Sequence, residues 1–132
     1  MVVPIAMYGP DLKMAETIGA QMAPEYEIVT ICLSQDAAEK TLPGECAGQF
    51  DFPSEHGSNA TADVKKAPKA VLLGNNISDS DEKTLAKLIE AKMAGVPLVK
   101  ASKFDVIKAG GIGPDPVAIA KVFKKKLDKE GI

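Results

Sequence analysis

The residues best suited to contact a ligand follow a buried apolar run in the middle of the chain. Residues 69–74 read Lys-Ala-Val-Leu-Leu-Gly, and Asn75, Asn76 and Ser78 follow closely. A glycine lets the backbone approach a ligand, and amide and hydroxyl side chains supply both donors and acceptors. This combination is typical of reversible binding, because neither a nucleophile nor a catalytic base accompanies it.

A second polar turn, from Tyr8 to Asp11, ends the first apolar run of the chain. We expect Asp11 to orient a hydroxyl group of a ligand, and Lys100 or Ser102, after the last apolar run, to close the far side of the site. The predicted ligand-binding residues are therefore Tyr8, Gly9, Asp11, Gly74, Asn75, Asn76, Ser78, Lys100 and Ser102. No catalytic residue and no metal ligand is predicted.

Two other residue types could carry chemistry. Cys32 ends an apolar run just before a helix start, a position that can lower the pKa of a thiol. A lone cysteine in an apolar strand is more often a small buried hydrophobic residue. The single histidine, His56, lies in a segment that also holds Glu45, Cys46, Asp51 and Glu55. Because these residues lack the spacing of a metal motif, we predict no metal site there.

The apolar pattern predicts strands that alternate with helices. Short β-branched or apolar runs predict strands over 2–7, 27–33, 69–74 and 96–100. Helical spacing and capping residues predict helices over 12–22, from Ser34 to about 42, from about 80 to Gly95, over 103–109 and from Asp115–Pro116 onward.

The pattern is lost between residues 43 and 60, which we interpret as an irregular insertion with a short strand or packed loop near Phe50 and Phe52. One or two helical turns are predicted from Thr61 to Lys66.

Alternating strands and helices predict a parallel sheet with crossover helices. The expected fold is one three-layer α/β domain over residues 1–132, flavodoxin-like (Rossmann-like), with four parallel strands in the order 2-1-3-4. In such a sheet the first and third strands are neighbours at the switch point, where ligands bind beside the carboxyl ends of the strands. This order predicts that turn 8–11 lies beside turn 74–78.

The composition disfavours some classes of binding partner. The 132 residues carry a formal net charge of -2, so bulk charge does not favour nucleic acid or an anionic membrane. All 16 basic residues are lysines, which removes the bidentate grip of arginine on anions. Residues 110–115 fail the spacing of a dinucleotide fingerprint and predict a loop and a helix cap. No basic leader or membrane-length apolar run is recognised, so we expect a cytoplasmic protein.

Two stretches carry a family resemblance. Residues 70–79, running into the helix at 85–89, and residues 109–117 resemble the flavodoxin-like substrate domain of D-2-hydroxyacid dehydrogenases. The resemblance implies a substrate-contacting loop at 74–79 and a glycine-rich turn at 110–113. The basic residue common in that family's loop has no counterpart, and its nicotinamide domain, which carries the catalytic residues, is not found in this sequence. The resemblance thus implies a substrate-type domain without catalytic machinery.

The predicted fold also resembles two-component receiver domains. Those domains need an acidic cluster after the first strand and a phospho-accepting aspartate after the third. Here Asp11 stands alone, and Gly74 and Asn75 follow the third strand. Phosphotransfer is not expected, although a pseudo-receiver used for protein interaction fits the same pattern.

The leading hypothesis is a small-molecule-binding domain for an anionic metabolite or a nucleotide, with no complete catalytic set and with its cofactor unassigned. The alternative is a non-catalytic dimerisation or protein-interaction module, present as a homodimer. A third hypothesis is a small hydrolase or thiol enzyme that uses Cys32.

Overall fold

The computed structural model describes residues 2–52, 54–74, 77–108, 110 and 115–132. Its strands are β1 (Val3–Tyr8), β2 (Tyr26–Cys32), β3 (Val71–Leu73) and β4 (Leu98–Lys100). Its α-helices are α1 (Leu12–Met22), α2 (Gln35–Cys46), α3 (Asp79–Lys92), α4 (Lys103–Lys108) and α5 (Pro116–Lys129). A 3₁₀ turn spans Ser58–Ala60.

The four strands form a parallel sheet in the order β2-β1-β3-β4, which confirms the predicted flavodoxin-like architecture. Parallel neighbours need a crossover connection, and the intervening helices supply it. Tyr8 pairs with Cys32 on one side and with Leu73 on the other, and Leu73 pairs with Lys100. The last residues of all four strands therefore lie in one row at the carboxyl edge of the sheet.

Helices cover both faces of the sheet, so its strands are mostly apolar, as parallel strands usually are, with Glu27 and Thr30 of β2 and Lys100 of β4 as polar residues. Alternate residues of β1 show the division, since Ile5 and Met7 face one core while Ala6 and Tyr8 face the other. The first core lies under α1 and α5, and the second lies under α2 and α3. Tyr8 thus belongs to the α2–α3 side of the sheet.

Side-chain caps fix the starts of four helices; those at Ser34, Ser78 and Asp115 confirm predicted start signals, and the cap at Asp11 was not predicted. Asp11, Ser34, Ser78 and Asp115 each accept a hydrogen bond from a backbone N–H in the first turn of the helix that follows. Each cap satisfies a donor that the helix itself cannot pair, and is worth about 1 kcal/mol. The first three caps belong to α1, α2 and α3, which directly follow β1, β2 and β3 and therefore begin at the carboxyl edge.

Helix α2 runs further than predicted, because Pro43 lies inside it and does not end it. A proline removes one helical N–H and usually terminates or bends a helix. Here the last turns of α2 are its most buried part, since Leu42, Glu45 and Cys46 are at most 3% exposed. Tertiary packing therefore outweighs the lost hydrogen bond.

The helical turns predicted over 61–66 are absent, and so is a strand at Phe50 and Phe52. Asn59 explains the first correction. Its side chain donates to the Lys66 carbonyl (2.8 Å) and accepts from the Lys66 N–H (2.9 Å), so it pairs the backbone that a helix would otherwise pair. The irregular insertion predicted over 43–60 is wrong for residues 43–46, which belong to α2, and the described residues from 47 to 60 contain no α-helix or strand, only the short 3₁₀ turn.

Residues 54–66, called the covering segment below, cover the outer edge of β2. The Ile31 N–H donates to the His56 carbonyl (3.1 Å) in an antiparallel bridge. Glu27 on the same strand accepts from Lys66 Nζ (2.8 Å) and Ser58 Oγ (2.5 Å). The hydrogen bonds from Lys66 and then Ser58 lower the pKa of Glu27. An exposed edge strand is prone to aggregation, and the segment removes that exposure.

Candidate functional site

The two turns predicted to meet do meet at the carboxyl edge. The Gly74 N–H donates to the Tyr8 carbonyl (3.0 Å), and the Gly9 N–H donates to the Cys32 carbonyl (3.0 Å). A Cβ placed on Gly9 would lie 4.0 Å from the Gly74 backbone. The switch point is therefore bare backbone, which a ligand can approach closely.

Asp11 and Ser78 flank this backbone, and both serve as helix caps. Asp11 Oδ1 accepts from the Met14 N–H (3.0 Å), and Ser78 Oγ accepts from the Asp81 N–H (3.1 Å). A carboxylate accepts several hydrogen bonds, so Asp11 keeps acceptor capacity for a ligand. Asn75 and Asn76, the two amides predicted for the site, lie outside the described residues.

Lys100 reaches the edge from β4, as predicted, and is already paired there. Its Nζ donates to the Ile77 carbonyl (2.6 Å) and lies 3.5 Å from Asp79 Oδ1 and 3.3 Å from Glu82 Oε1. These contacts fasten residue 77 to the end of β4. Lys100 is thus a positioning group for the turn, and it meets a ligand only by exchanging one of these partners.

Ser102 was predicted to contact the ligand, but in the structure its hydroxyl bonds within helix α4. Its hydroxyl accepts from the Asp105 N–H (3.1 Å) and donates to Asp105 Oδ2 (2.8 Å), so it caps α4. No described contact joins it to the turns at Tyr8 and Gly74.

Sequence reasoning missed the contact between the starts of α2 and α3. Gln35 and Glu39 lie one helical turn apart at the start of that helix, and Gln35 Nε2 donates to Glu39 Oε2 (2.8 Å) and to the Asp81 carbonyl of α3 (3.2 Å). Residues four apart on a helix share a face. The sequence signal that could have indicated this contact was the spacing of Gln35 and Glu39, together with the strand order that places β2 beside β1.

Tyr8 belongs to the core between the sheet and helices α2 and α3. The residue is 6% exposed. Burial raises the pKa of its hydroxyl above the ordinary value of 10.0, and the charges of Asp81, Glu39 and Cys32 raise it further. The hydroxyl therefore keeps its proton near neutral pH.

A concavity of about 610 Å³ lies at the opposite, amino end of the sheet. Its lining includes Glu16 and Gly19 of α1, Tyr26 and Glu27 of β2, and Gly57. The volume would admit a small molecule, but Glu27 is already paired with Lys66 and Ser58. Because ligands of parallel α/β sheets bind at the carboxyl ends of strands, we place the candidate site at the Tyr8 edge.

The cysteines do not have the properties of a nucleophile. Cys32 and Cys46 are both free and buried, and burial raises the pKa of each thiol to about 12, with Glu45 as the next cause. The lowered pKa considered for Cys32 is wrong, because the desolvation of its side chain is the dominant influence.

The acidic residues and Cys46 near His56 in the sequence are not gathered around it. Among the described residues, no group of three or more His, Cys, Asp or Glu side chains is placed to hold a metal ion. Glu45 instead joins a closed polar cluster with three neutral side chains. Thr30 Oγ1 donates to it (2.6 Å to Oε2), Ser54 Oγ donates to Oε1, and Asn59 Nδ2 donates to Oε2 (3.3 Å).

All four members of the Glu45 cluster are at least nine-tenths buried. It joins β2, the end of α2 and the covering segment, so its role is to hold the segment in place.

Comparison of the chain with protein-family models, with curated proteins and with solved structures gives no match. No helix in the described part of the chain combines the length and apolar character needed to cross a membrane. The functional conclusion therefore depends on the chain's own geometry.

Proposed function

We propose that this chain is a small-molecule-binding domain whose ligand lies across the carboxyl edge of the sheet, over Tyr8, Gly9 and Gly74. The observation that carries the proposal is the backbone contact at the switch point, where the Gly74 N–H meets the Tyr8 carbonyl and no Cβ stands on either glycine. Sheet ends of this kind leave a crevice between the two outgoing turns.

The flanking groups suit binding and do not form a catalytic set. Asp11 and Ser78 are exposed helix caps, and the starts of α1 and α3 present backbone N–H groups that no helical carbonyl can pair. The buried cysteines carry protonated thiols near neutral pH. The anionic metabolite or nucleotide expected from the sequence remains a prediction for the same edge, with Lys100 as its cation.

A thermal-shift screen tests the proposal, with carboxylates, phosphates, nucleotides, amines and polyols as separate classes. A ligand that binds only the folded state raises the midpoint of unfolding. Hits are then measured against Gly9→Ala, whose added methyl has nothing closer than the Gly74 backbone at 4.0 Å, so the fold tolerates it. We expect the methyl to weaken binding about tenfold or more, since it occupies the crevice.

Two further variants locate the hit. Asn75→Ala is expected to weaken binding at the proposed edge, and Glu16→Ala, in the concavity at the amino end, is the matched control and should leave it unchanged. A hit that ignores Gly9→Ala and Asn75→Ala but is lost in Glu16→Ala would place the site at the wrong end of the sheet and reject the proposal.

A further inference from the structure

The covering segment shields the outer edge of β2 but pairs with its backbone only briefly. Strand β2 ends the sheet, and an antiparallel bridge joins its Ile31 to His56 of the segment. The segment then passes Gly57 and enters the 3₁₀ turn at Ser58–Ala60. In the described part of the chain, no bridge on this side reaches the first half of the seven-residue strand.

The backbone in that first half is directed outward at Tyr26 and Ile28. The Val3 N–H of β1 donates to the Glu25 carbonyl (3.0 Å), which shows that residue 25 faces β1. The N–H and C=O groups of successive strand residues alternate between the two sides of the strand. Glu27 therefore also faces β1, while Tyr26 and Ile28 present their donors and acceptors on the side where the sheet ends.

The concavity at the amino end of the sheet lies along this outward backbone. Its lining includes the consecutive residues Tyr26, Glu27 and Ile28, and it continues to Ile31 and Gly57. Successive side chains of a strand point to opposite faces of the sheet, so a concavity lined by three consecutive residues must lie at the edge of that strand. From Tyr26 to Ile31 the edge spans about 16 Å, which suits about five residues of extended chain.

The walls of the concavity are mostly apolar, and its charged groups are negative. Helix α1 contributes Glu16 to the wall opposite the strand, and no lysine lies among the described lining residues. Glu27 is balanced by Lys66 Nζ (2.8 Å), whereas Glu16 makes no ion pair with any described residue. The apolar lining comes from Val2, Ala23, Pro24, Ile28 and Ile31.

We propose that this concavity binds an extended peptide segment, which adds to the outer edge of β2 as a further strand. The segment runs antiparallel to β2, as the bridge at His56 already does. Its main chain pairs with Tyr26 and Ile28, its apolar side chains lie against the apolar wall, and a lysine side chain approaches Glu16. In this mode of recognition, main-chain hydrogen bonds supply affinity and side-chain contacts supply specificity.

The inference goes beyond the proposed function, because the peptide and the small molecule occupy opposite ends of the sheet. The test is an NMR titration of isotope-labelled protein with the synthetic peptide acetyl-Thr-Val-Lys-Val-Thr-amide. We expect the peptide to shift the backbone amide signals of Tyr26, Ile28 and Gly57. The signals of Gly9 and Gly74 should stay unchanged.

Two analogues of the peptide test the strand pairing itself. One is N-methylated on its two valines, and the other on its lysine and two threonines. Only alternate N–H groups of an added strand face its neighbour. One analogue should therefore lose about tenfold or more in affinity, while the other stays within about threefold of the parent peptide.

The charge is tested by Glu16→Gln, which should weaken the parent peptide about threefold at low salt, since an exposed ion pair contributes modestly. Glu90→Gln is the matched control, because Glu90 is an exposed glutamate of α3 and does not line the concavity. That change should leave the affinity within about 1.5-fold of the parent protein.

Four results would overturn the inference. Shifts confined to Gly9 and Gly74 would place the peptide at the carboxyl edge, and equal affinities of the two N-methylated analogues would exclude strand pairing. An absence of shifts at millimolar peptide would show that the edge of β2 does not accept a strand. Shifts of the Tyr26 and Ile28 signals with protein concentration alone would assign the concavity to a second copy of the chain. The thermal-shift screen tests the proposed function separately, so either proposal can fail without the other.

Discussion

Glu45 illustrates how a charged residue type can serve a purely structural role. It is 1% exposed and accepts hydrogen bonds from Thr30, Ser54 and Asn59, and no lysine contacts it among the described residues. Hydrogen bonds to a carboxylate are stronger than those between neutral groups, so three donors can hold it in the interior. The sequence indicated only that Glu45 belongs to an irregular polar segment, because its donors come from two other parts of the chain, Thr30 in β2 and Ser54 and Asn59 in the segment that covers β2.

We expect Glu45→Ala to lower the free energy of unfolding by about 3 kcal/mol, because three buried donors lose their acceptor and a cavity replaces the side chain. Urea denaturation measures the loss. Glu55→Ala is the control, since Glu55 is exposed nearby and its replacement should change stability by less than about 0.5 kcal/mol. Equal effects of the two substitutions would show that the buried cluster does not hold the segment.

The second prediction for individual residues concerns the thiols of Cys32 and Cys46. Because burial raises the pKa of Cys32 and Cys46 to about 12, almost no thiolate exists near neutral pH. We expect iodoacetamide to leave both residues unmodified in the native protein and to label both in concentrated urea, as measured by intact mass. Labelling of native Cys32 at the rate of a free thiol would revive the thiol-enzyme hypothesis.

At the scale of elements, the segment that covers β2 depends on one glycine. Gly57 has φ 95° and ψ 174°, a region that essentially only glycine occupies. A Cβ there would lie 2.5 Å from the Val29 carbonyl oxygen of β2. The covering segment can therefore approach β2 only because residue 57 has no side chain.

Gly57→Ala should accordingly lower the free energy of unfolding by about 3 kcal/mol or more, from backbone strain and from overlap with β2. Gly48→Ala is the matched control, since Gly48 also has positive φ (78°) but a Cβ there meets nothing within 4 Å. That control should cost about 1 kcal/mol. A loss at Gly57 no greater than the loss at Gly48 would contradict the close approach to β2.

Lys126 links helix α4 to α5 and β4. Lys126 Nζ donates to Asp105 Oδ2 (2.9 Å) and to the Lys100 carbonyl (2.6 Å). The hydrogen bonds from Lys126 and then Ser102 lower the pKa of Asp105 from 3.8 to about 2. Both charged side chains are about one-third exposed, so solvent screening keeps the contribution to stability small.

The sign of the pH dependence follows from the lowered pKa. The folded state favours the ionised carboxylate, so this contribution is complete above about pH 4 and is lost as the pH falls toward about 2. We expect Asp105→Asn to cost less than about 1 kcal/mol near neutral pH, with the difference from the parent shrinking across that acid window. A difference that stayed constant from pH 4 downward would contradict the assignment.

At the scale of the whole molecule, the alternation of strands and helices predicted the parallel sheet and its crossover helices. The order 2-1-3-4, with its switch point between β1 and β3, was predicted as the flavodoxin-like arrangement of such a sheet, and the structure has that order. The meeting of Gly9 with Gly74 was predicted in the same way, because strand order alone determines which turns are adjacent.

The contact between the starts of α2 and α3 could not be predicted from the sequence. Gln35 and Asp81 are 46 residues apart, and the contact between them depends on the rotation of each helix about its axis. Helix rotation is decided by core packing and not by the spacing of polar residues. The course of α2 through Pro43 was missed for a related reason, since local propensity opposes it and burial decides it.

The most direct test of the central claim is a crystal structure of the protein with the tightest ligand from the thermal-shift screen. The account predicts ligand density at the carboxyl edge, over the backbone of Gly9 and Gly74 and against the Tyr8 hydroxyl. Density confined to the concavity between Glu16, Tyr26 and Gly57, or a tight dimer that buries the Tyr8 edge and leaves no room for a ligand, would contradict it.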